Sequence, residues 1–218
     1  MRASLDTNVL IHLYRAGLQR ILFEFFEDGV FIYEQIRTVE LEHHGQDVLS
    51  LIDQDIEGGK IQLYTDANLK ELGIHKIFAY HVKENRDLYS PKDLGEVYAI
   101  SLAQTLGAYS LVTDDIKQGG PYMSLLQFED AIIPFTFVDL LILRFLMGHT
   151  DAQKTLADFE TVNVASHLNW TFKSHFSKFI QRFWKEPYKK SDRVWMDDLV
   201  SEYQIDVKEK LRTLRNLL

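Results

Sequence analysis

The sequence predicts an α/β fold with a parallel sheet covered on both faces by helices, followed by an all-helical extension. Three observations carry this expectation. Short β-prone runs alternate with longer segments of helical period as far as residue 148, the pattern of repeated strand–helix units. Runs such as Val30-Phe31-Ile32-Tyr33 are apolar throughout, as strands buried on both faces are. Beyond Gly148-His149-Thr150 the strand pattern stops and only helical periodicity remains. The expected division is therefore 1–148 for the α/β domain and 149–218 for the extension.

Each element has a local reason. Arg2 to Leu5 reads as a buried strand ending at Asp6-Thr7-Asn8, where Thr7 or Asn8 caps the helix that Val9-Leu10-Ile11 begins. Leu18 to Phe26 is amphipathic and is closed by Asp28-Gly29. The strand at Val30–Tyr33 leads into a helical stretch through Glu40-Leu41, and Asp47 to Ile56 forms a helix stopped by Gly58-Gly59. Ile61 to Tyr64 alternates as a strand does, and Leu69 to Asn85 has helical character. Asp93-Leu94-Gly95-Glu96 opens the clearest helix, with Val97, Ile100, Leu102, Ala103 and Leu106 forming its apolar stripe and Gly107 its stop. Tyr109 to Val112 and Ala131 to Phe135 read as strands, the latter followed by a helix from Thr136 to Met147. In the extension, Phe172, Phe176, Phe179 and Phe183 recur at helical spacing, which favours core packing over ligand binding. Pro187 breaks that segment, and a last helix begins near Asp192.

Bulk properties narrow the function classes. Cysteine is absent, which removes disulfides, thiolate zinc sites and cysteine nucleophiles and fits a cytoplasmic location. An acid at position 6 precedes any apolar leader segment. The stretch Ile132–Met147 is too short for a bilayer and is interrupted by Pro134, Asp139 and Arg144. No membrane association is expected. The net charge of −8 argues against a chain that coats nucleic acid non-specifically, and the acidic excess lies in the first 150 residues.

That acidity has a pattern. Asp6 ends the first strand, Asp114-Asp115 end the Tyr109–Val112 strand, and Glu96 opens the helix leading into that strand. In a parallel sheet these positions share the edge where ligands bind. Taken singly, Asp6 is equally a helix cap, Glu96 a favourable dipole partner, and Asp114-Asp115 ordinary turn residues. Together they form a cluster of like charges that is unfavourable without a cation, and hard oxygen ligands suit Mg²⁺ or Mn²⁺. The eight histidines show no metal-ligand spacing, although His43-His44 adjoin Glu40.

These residues carry a family resemblance. Ser4-Leu5-Asp6-Thr7-Asn8-Val9-Leu10 resembles the first motif of PIN-domain nucleases, Gly95-Glu96-Val97-Tyr98-Ala99-Ile100 through Leu106-Gly107-Ala108 the third, and Leu111-Val112-Thr113-Asp114-Asp115 the fourth. Val39-Glu40-Leu41 is the best match for the second. The resemblance covers roughly residues 1–140. It implies a PIN-like three-layer α/β/α fold in which Asp6, Glu40, Glu96 and Asp115 are catalytic. Asp6, Glu96, Asp114 and Asp115 would hold Mg²⁺ or Mn²⁺, supported by Thr7, Asn8 and Thr113. Glu42 competes with Glu40 for the second acid, and Asp93 is a further contributor or a helix cap.

The implied activity is divalent-metal-dependent endonucleolytic cleavage of RNA, with a toxin-type role, an antitoxin or other regulatory protein, and a homodimer among the expectations. The alternative is a PIN-like module that binds RNA or protein without cutting. In the extension, Lys189 and Lys190 belong to a run of cations that also includes Lys173, Lys178, Arg182, Lys185 and Arg193. That run is either a solvated face or a phosphate-binding patch. Phosphatase, receiver and nucleotide-binding readings fit less well, because an Asn stands two residues after Asp6, the acidic pair comes late, and no glycine-rich loop follows the first strand.

Overall fold

The computed structural model describes residues 1–88, 94–114, 132–185 and 190–218. Five strands form one sheet: β1 (Ala3–Leu5), β2 (Val30–Tyr33), β3 (Ile61–Tyr64), β4 (Ser110–Val112) and β5 (Ile133–Phe135). All neighbours pair in parallel, in the order β3-β2-β1-β4-β5. The class is α/β, compatible with a three-layer α/β/α arrangement. Ala3, Leu5, Val30, Phe31, Ile32, Leu111 and Val112 are at most 2% exposed, so the central strands are covered on both faces and need no polar alternation.

The first compact unit spans Met1–Thr136. Its helices are α1 (Thr7–Arg15), α2 (Arg20–Phe25), α3 (Ile36–Leu41, a π-type turn running on through Glu42–His44), α4 (Gln46–Glu57), α5 (Asp66–Glu71), α6 (His75–Leu88) and α7 (Leu94–Leu106). Three differ from the sequence expectation. Asp6 itself, rather than Thr7 or Asn8, is the N-cap of α1. The helix expected over Leu69–Asn85 is two helices, parted where Gly73 adopts a φ of 73°. That left-handed geometry ends a helix and suits glycine. Third, α7 is buried beyond a stripe: Gly95, Glu96, Val97, Ala99, Ile100, Ser101, Leu102 and Ala103 are all buried. It contacts β1, β2 and β4.

The second unit, Phe137–Leu218, is all helical: α8 (Phe137–Leu146), α9 (Ala152–Ala165), α10 (Phe172–Ile180, continued by a π-type turn Gln181–Lys185), α11 (Lys190–Glu202) and α12 (Val207–Arg215). The division falls after Thr136, ahead of the boundary expected after residue 148. Every residue of α8 except Arg144 is buried, and α8 contacts α9, α10 and α12. A helix apolar on nearly all sides does not reveal from sequence which neighbours it will take. Phe172, Phe176, Phe179 and Phe183 are at most 4% exposed and form core, as their spacing favoured. Arg182 is 2% exposed and lies among them. Among the described residues, no helix is long and apolar enough to cross a membrane.

A buried polar tie fastens α1 to α4. The Tyr14 hydroxyl donates to Asp55 Oδ2 at 2.6 Å, and Lys60 Nζ meets Asp55 Oδ1 at 2.7 Å. Burial, and then the Asp55 carboxylate, push the Tyr14 hydroxyl well above its ordinary range. Because the folded-state value is the higher one, this stabilisation is complete below the unfolded value of about 10 and is lost as pH rises above it. Tyr14→Phe is expected to cost about 1.5–3 kcal/mol at neutral pH, the worth of a hydrogen bond to a charged group. It should also flatten the alkaline fall in stability, which urea unfolding across a pH series measures.

Candidate functional site

Strand order decides where chemistry sits. The chain builds outward from β1 through β2 to β3, then crosses back to add β4 and β5 on the other side. Right-handed crossovers place the two sets of connecting helices on opposite faces, leaving a crevice outside the carboxyl ends of β1 and β4. Such a switch point is where open α/β sheets bind ligands. Asp6 directly follows β1, and Thr113-Asp114 directly follow β4. The register sets Leu5 opposite Val112, and the Asp6 N–H donates to the Val112 carbonyl at 2.9 Å.

Asp6 is 1% exposed and held at both oxygens. Its Oδ1 accepts from the Thr7 N–H at 2.7 Å, and its Oδ2 accepts from the Thr113 hydroxyl at 3.0 Å. Thr113 thus supports the carboxylate directly. Asn8, assigned the same role from sequence, is exposed and makes no hydrogen bond among the described residues.

Glu96 sits buried in the first turn of α7. Beside it, a Cβ placed on Gly95 would lie 3.3 Å from Thr7 Oγ1 and 3.5 Å from Glu40 Cγ. Glycine in a helix costs about 1 kcal/mol relative to alanine, and here that cost has a reason. The position lets α7 approach the start of α1 and the Glu40 side chain at once. Three segments far apart in sequence therefore converge: Asp6-Thr7, Glu40 and Gly95-Glu96. Glu42, the competing second acid, is exposed and pairs with Arg37 Nη1 at 2.6 Å. Geometry puts Glu40, not Glu42, at the junction. The π-type turn is why helical phase alone left the pair open, since one extra residue per turn rotates the residues after it by roughly 100°.

Asp114 is 5% exposed, and its Oδ2 lies 2.7 Å from His12 Nδ1. His12 had no sequence signal, because it meets Asp114 only in the tertiary structure, across 102 positions of sequence. His43 and His44 are exposed, and His43 Nδ1 bonds the Val39 carbonyl at 2.7 Å. Asp115, Asp93 and Lys189 lie outside the described residues. Lys190 is exposed at the start of α11 in the second unit.

The side chains near the switch point are carboxylates and hydroxyls, donor types that suit a hard cation better than a soft one. Thr7 Oγ1 adds a specific mark. It is buried with no hydrogen-bond partner among the described residues, and it faces the Glu40–Gly95 junction. An unmet buried hydroxyl costs about 1–3 kcal/mol, and the Ser4 and Ser110 hydroxyls are left in the same state. Among the described residues, no group of three or more His, Asp or Glu side chains is gathered closely enough to hold a metal ion by itself. No protein-family profile, curated protein or solved structure matches the chain.

Proposed function

We propose that the chain is a divalent-metal-dependent endoribonuclease with a PIN-like fold. The observation that carries this is that Asp6 and Asp114 follow β1 and β4 at the crevice where the strand order reverses, while Gly95, next to Glu96, packs against Thr7 and Glu40. Asp6, Glu96 and Asp115, with Asp114 beside them, are the residues that would hold Mg²⁺ or Mn²⁺. Bound there, the ion would neutralise the carboxylates and supply Lewis-acid stabilisation to a phosphodiester.

The chain's own groups do the rest. The Thr7 N–H and the Thr113 hydroxyl fix Asp6 in one rotamer, so its oxygens reach the site without reorganising. His12 holds one oxygen of Asp114. Either Glu96 or Asp115 orients the attacking water and takes its proton. Glu40 packs against Gly95, beside Glu96.

The test is a cleavage assay on single-stranded RNA with Mn²⁺ or with EDTA, comparing the wild type with Asp6→Asn and Asp115→Asn. Metal-dependent cleavage lost in both variants supports the reading. Undiminished cleavage in both would sink it, and binding without cleavage by the wild type would favour the non-cutting module. Gly95→Ala gives a second, sharper prediction. The added methyl presses on Thr7 Oγ1 and only touches Glu40 while helix propensity improves, so stability should change by less than about 1 kcal/mol. Displacing the Thr7 side chain by a few tenths of an ångström is expected to slow cleavage about ten- to a hundredfold.

A further inference from the structure

Within the helical unit, α10 with its π-type continuation and α12 enclose a groove of about 450 Å³. Phe176, Ile180 and Trp184 line it from one side at intervals of four residues, and Leu211 lines it from the other. A second depression of about 280 Å³ shares Phe176, Ile180 and Arg215 and runs on to Lys173 and Leu218. Among the described residues, the rim carries Lys173, Lys185, Lys208 and Arg215 and no acid. Elsewhere in the unit, carboxylates are taken by other cations: Asp158 by Lys154, Asp192 by Arg182, Asp197 by Arg193. Among the described residues, none of the four rim cations forms an ion pair.

We propose that this groove binds single-stranded RNA, with the four cations on successive phosphates and bases lying against the Trp184 ring and the apolar floor. Charge complementarity selects a polyanion, since four exposed cations along one trough meet phosphates with release of their counterions. Gln181 stands exposed within the lining, and its amide offers both donors and an acceptor to base edges. An amphipathic protein helix would bury that amide under its apolar stripe without a partner. The mixture of cations, an aromatic face and scattered polar groups is that of a single-strand binding surface. The choice of RNA rests on the ribonuclease reading, but the groove acts without metal and without the acidic site.

The experiment measures anisotropy of a short fluorescein-labelled oligouridylate with the full chain in EDTA, across a salt series. The double variant Lys208→Gln, Arg215→Gln removes two exposed cations, and Lys76→Gln, Lys83→Gln makes the same charge change on α6 of the first unit. The groove variant is expected to bind about tenfold more weakly at moderate salt, and the slope of log affinity against log salt should fall by about 1.4, from 0.7 per phosphate contact. The control pair should behave as the wild type. Equal weakening in both pairs, or no affinity in the wild type, would overturn the proposal. So would an acidic amphipathic peptide whose binding the groove variant abolishes while RNA binding persists. Because Asp6→Asn should lose cleavage yet keep this EDTA-insensitive binding, failure of the groove and failure of the nuclease reading give different results.

Discussion

Asp6→Asn is expected to lower metal-dependent RNA cleavage by about a hundred- to a thousandfold, the size of effect seen when one preorganised electrostatic partner is removed from a catalytic site. The substitution is nearly isosteric, and the local bonds can survive it. The asparagine oxygen can accept the Thr7 N–H, while its amide donates to the Thr113 hydroxyl, which rotates to suit. One negative charge leaves the edge where Asp114 also stands. The variant should therefore melt within a few degrees of the wild type in EDTA. With Mn²⁺ at a hundred times its dissociation constant, the wild type gains about 2.7 kcal/mol from binding and the variant should lose most of that gain. A thermal shift assay reads this independently of cleavage. Within the same panel, Glu40→Gln should impair cleavage and Glu42→Gln should not, because Glu42 is engaged with Arg37 at the surface. Equal effects of the two would move the second acid away from the Gly95 junction.

Asp192→Ala is expected to destabilise the protein by about 3–5 kcal/mol, the cost of leaving a buried charge without its partner. Arg182 is 2% exposed and Asp192 fully buried, with Nε to Oδ2 at 3.1 Å. The guanidinium also lies 4.2 Å from the centre of the Phe183 ring and 3.7 Å from Asp139. Asp139 is a poorer partner at that distance, and burial denies the cation water. Replacing both members, Arg182→Met with Asp192→Leu, should recover part of the loss, since a buried ion pair often contributes little beyond a well-packed apolar pair. Urea unfolding followed by far-ultraviolet circular dichroism measures both. A loss below about 1 kcal/mol for Asp192→Ala would place this pair with ordinary surface salt bridges.

The fold class was legible because its signals are local. The apolar runs of β1, β2 and β4, the period of α4 and α7 and the stop at Gly107 each depend on a few neighbouring residues. Asp6 and Asp114 were legible as strand-end acids for the same reason. Where phase slipped, a local irregularity was responsible. Gly73 divided one expected helix into α5 and α6, and the π-type turn of α3 rotated Glu40 and Glu42 relative to a regular helix.

The sequence by itself thus determined which segments are strands, which are helices, and that carboxylates stand where strands end. Tertiary structure alone decided that β1 lies beside β4, so that Asp6 and Asp114 share a switch point. It also decided that His12 meets Asp114, that Gly95 admits Thr7 and Glu40, that Arg182 finds Asp192, and that α8 groups with the helical unit. The reason is physical. Periodicity records whether a side chain faces water or core, and that choice is made residue by residue. Which buried surface meets which depends on pairing free energies between segments as far apart as positions 12 and 114, and those leave no periodic trace in one chain.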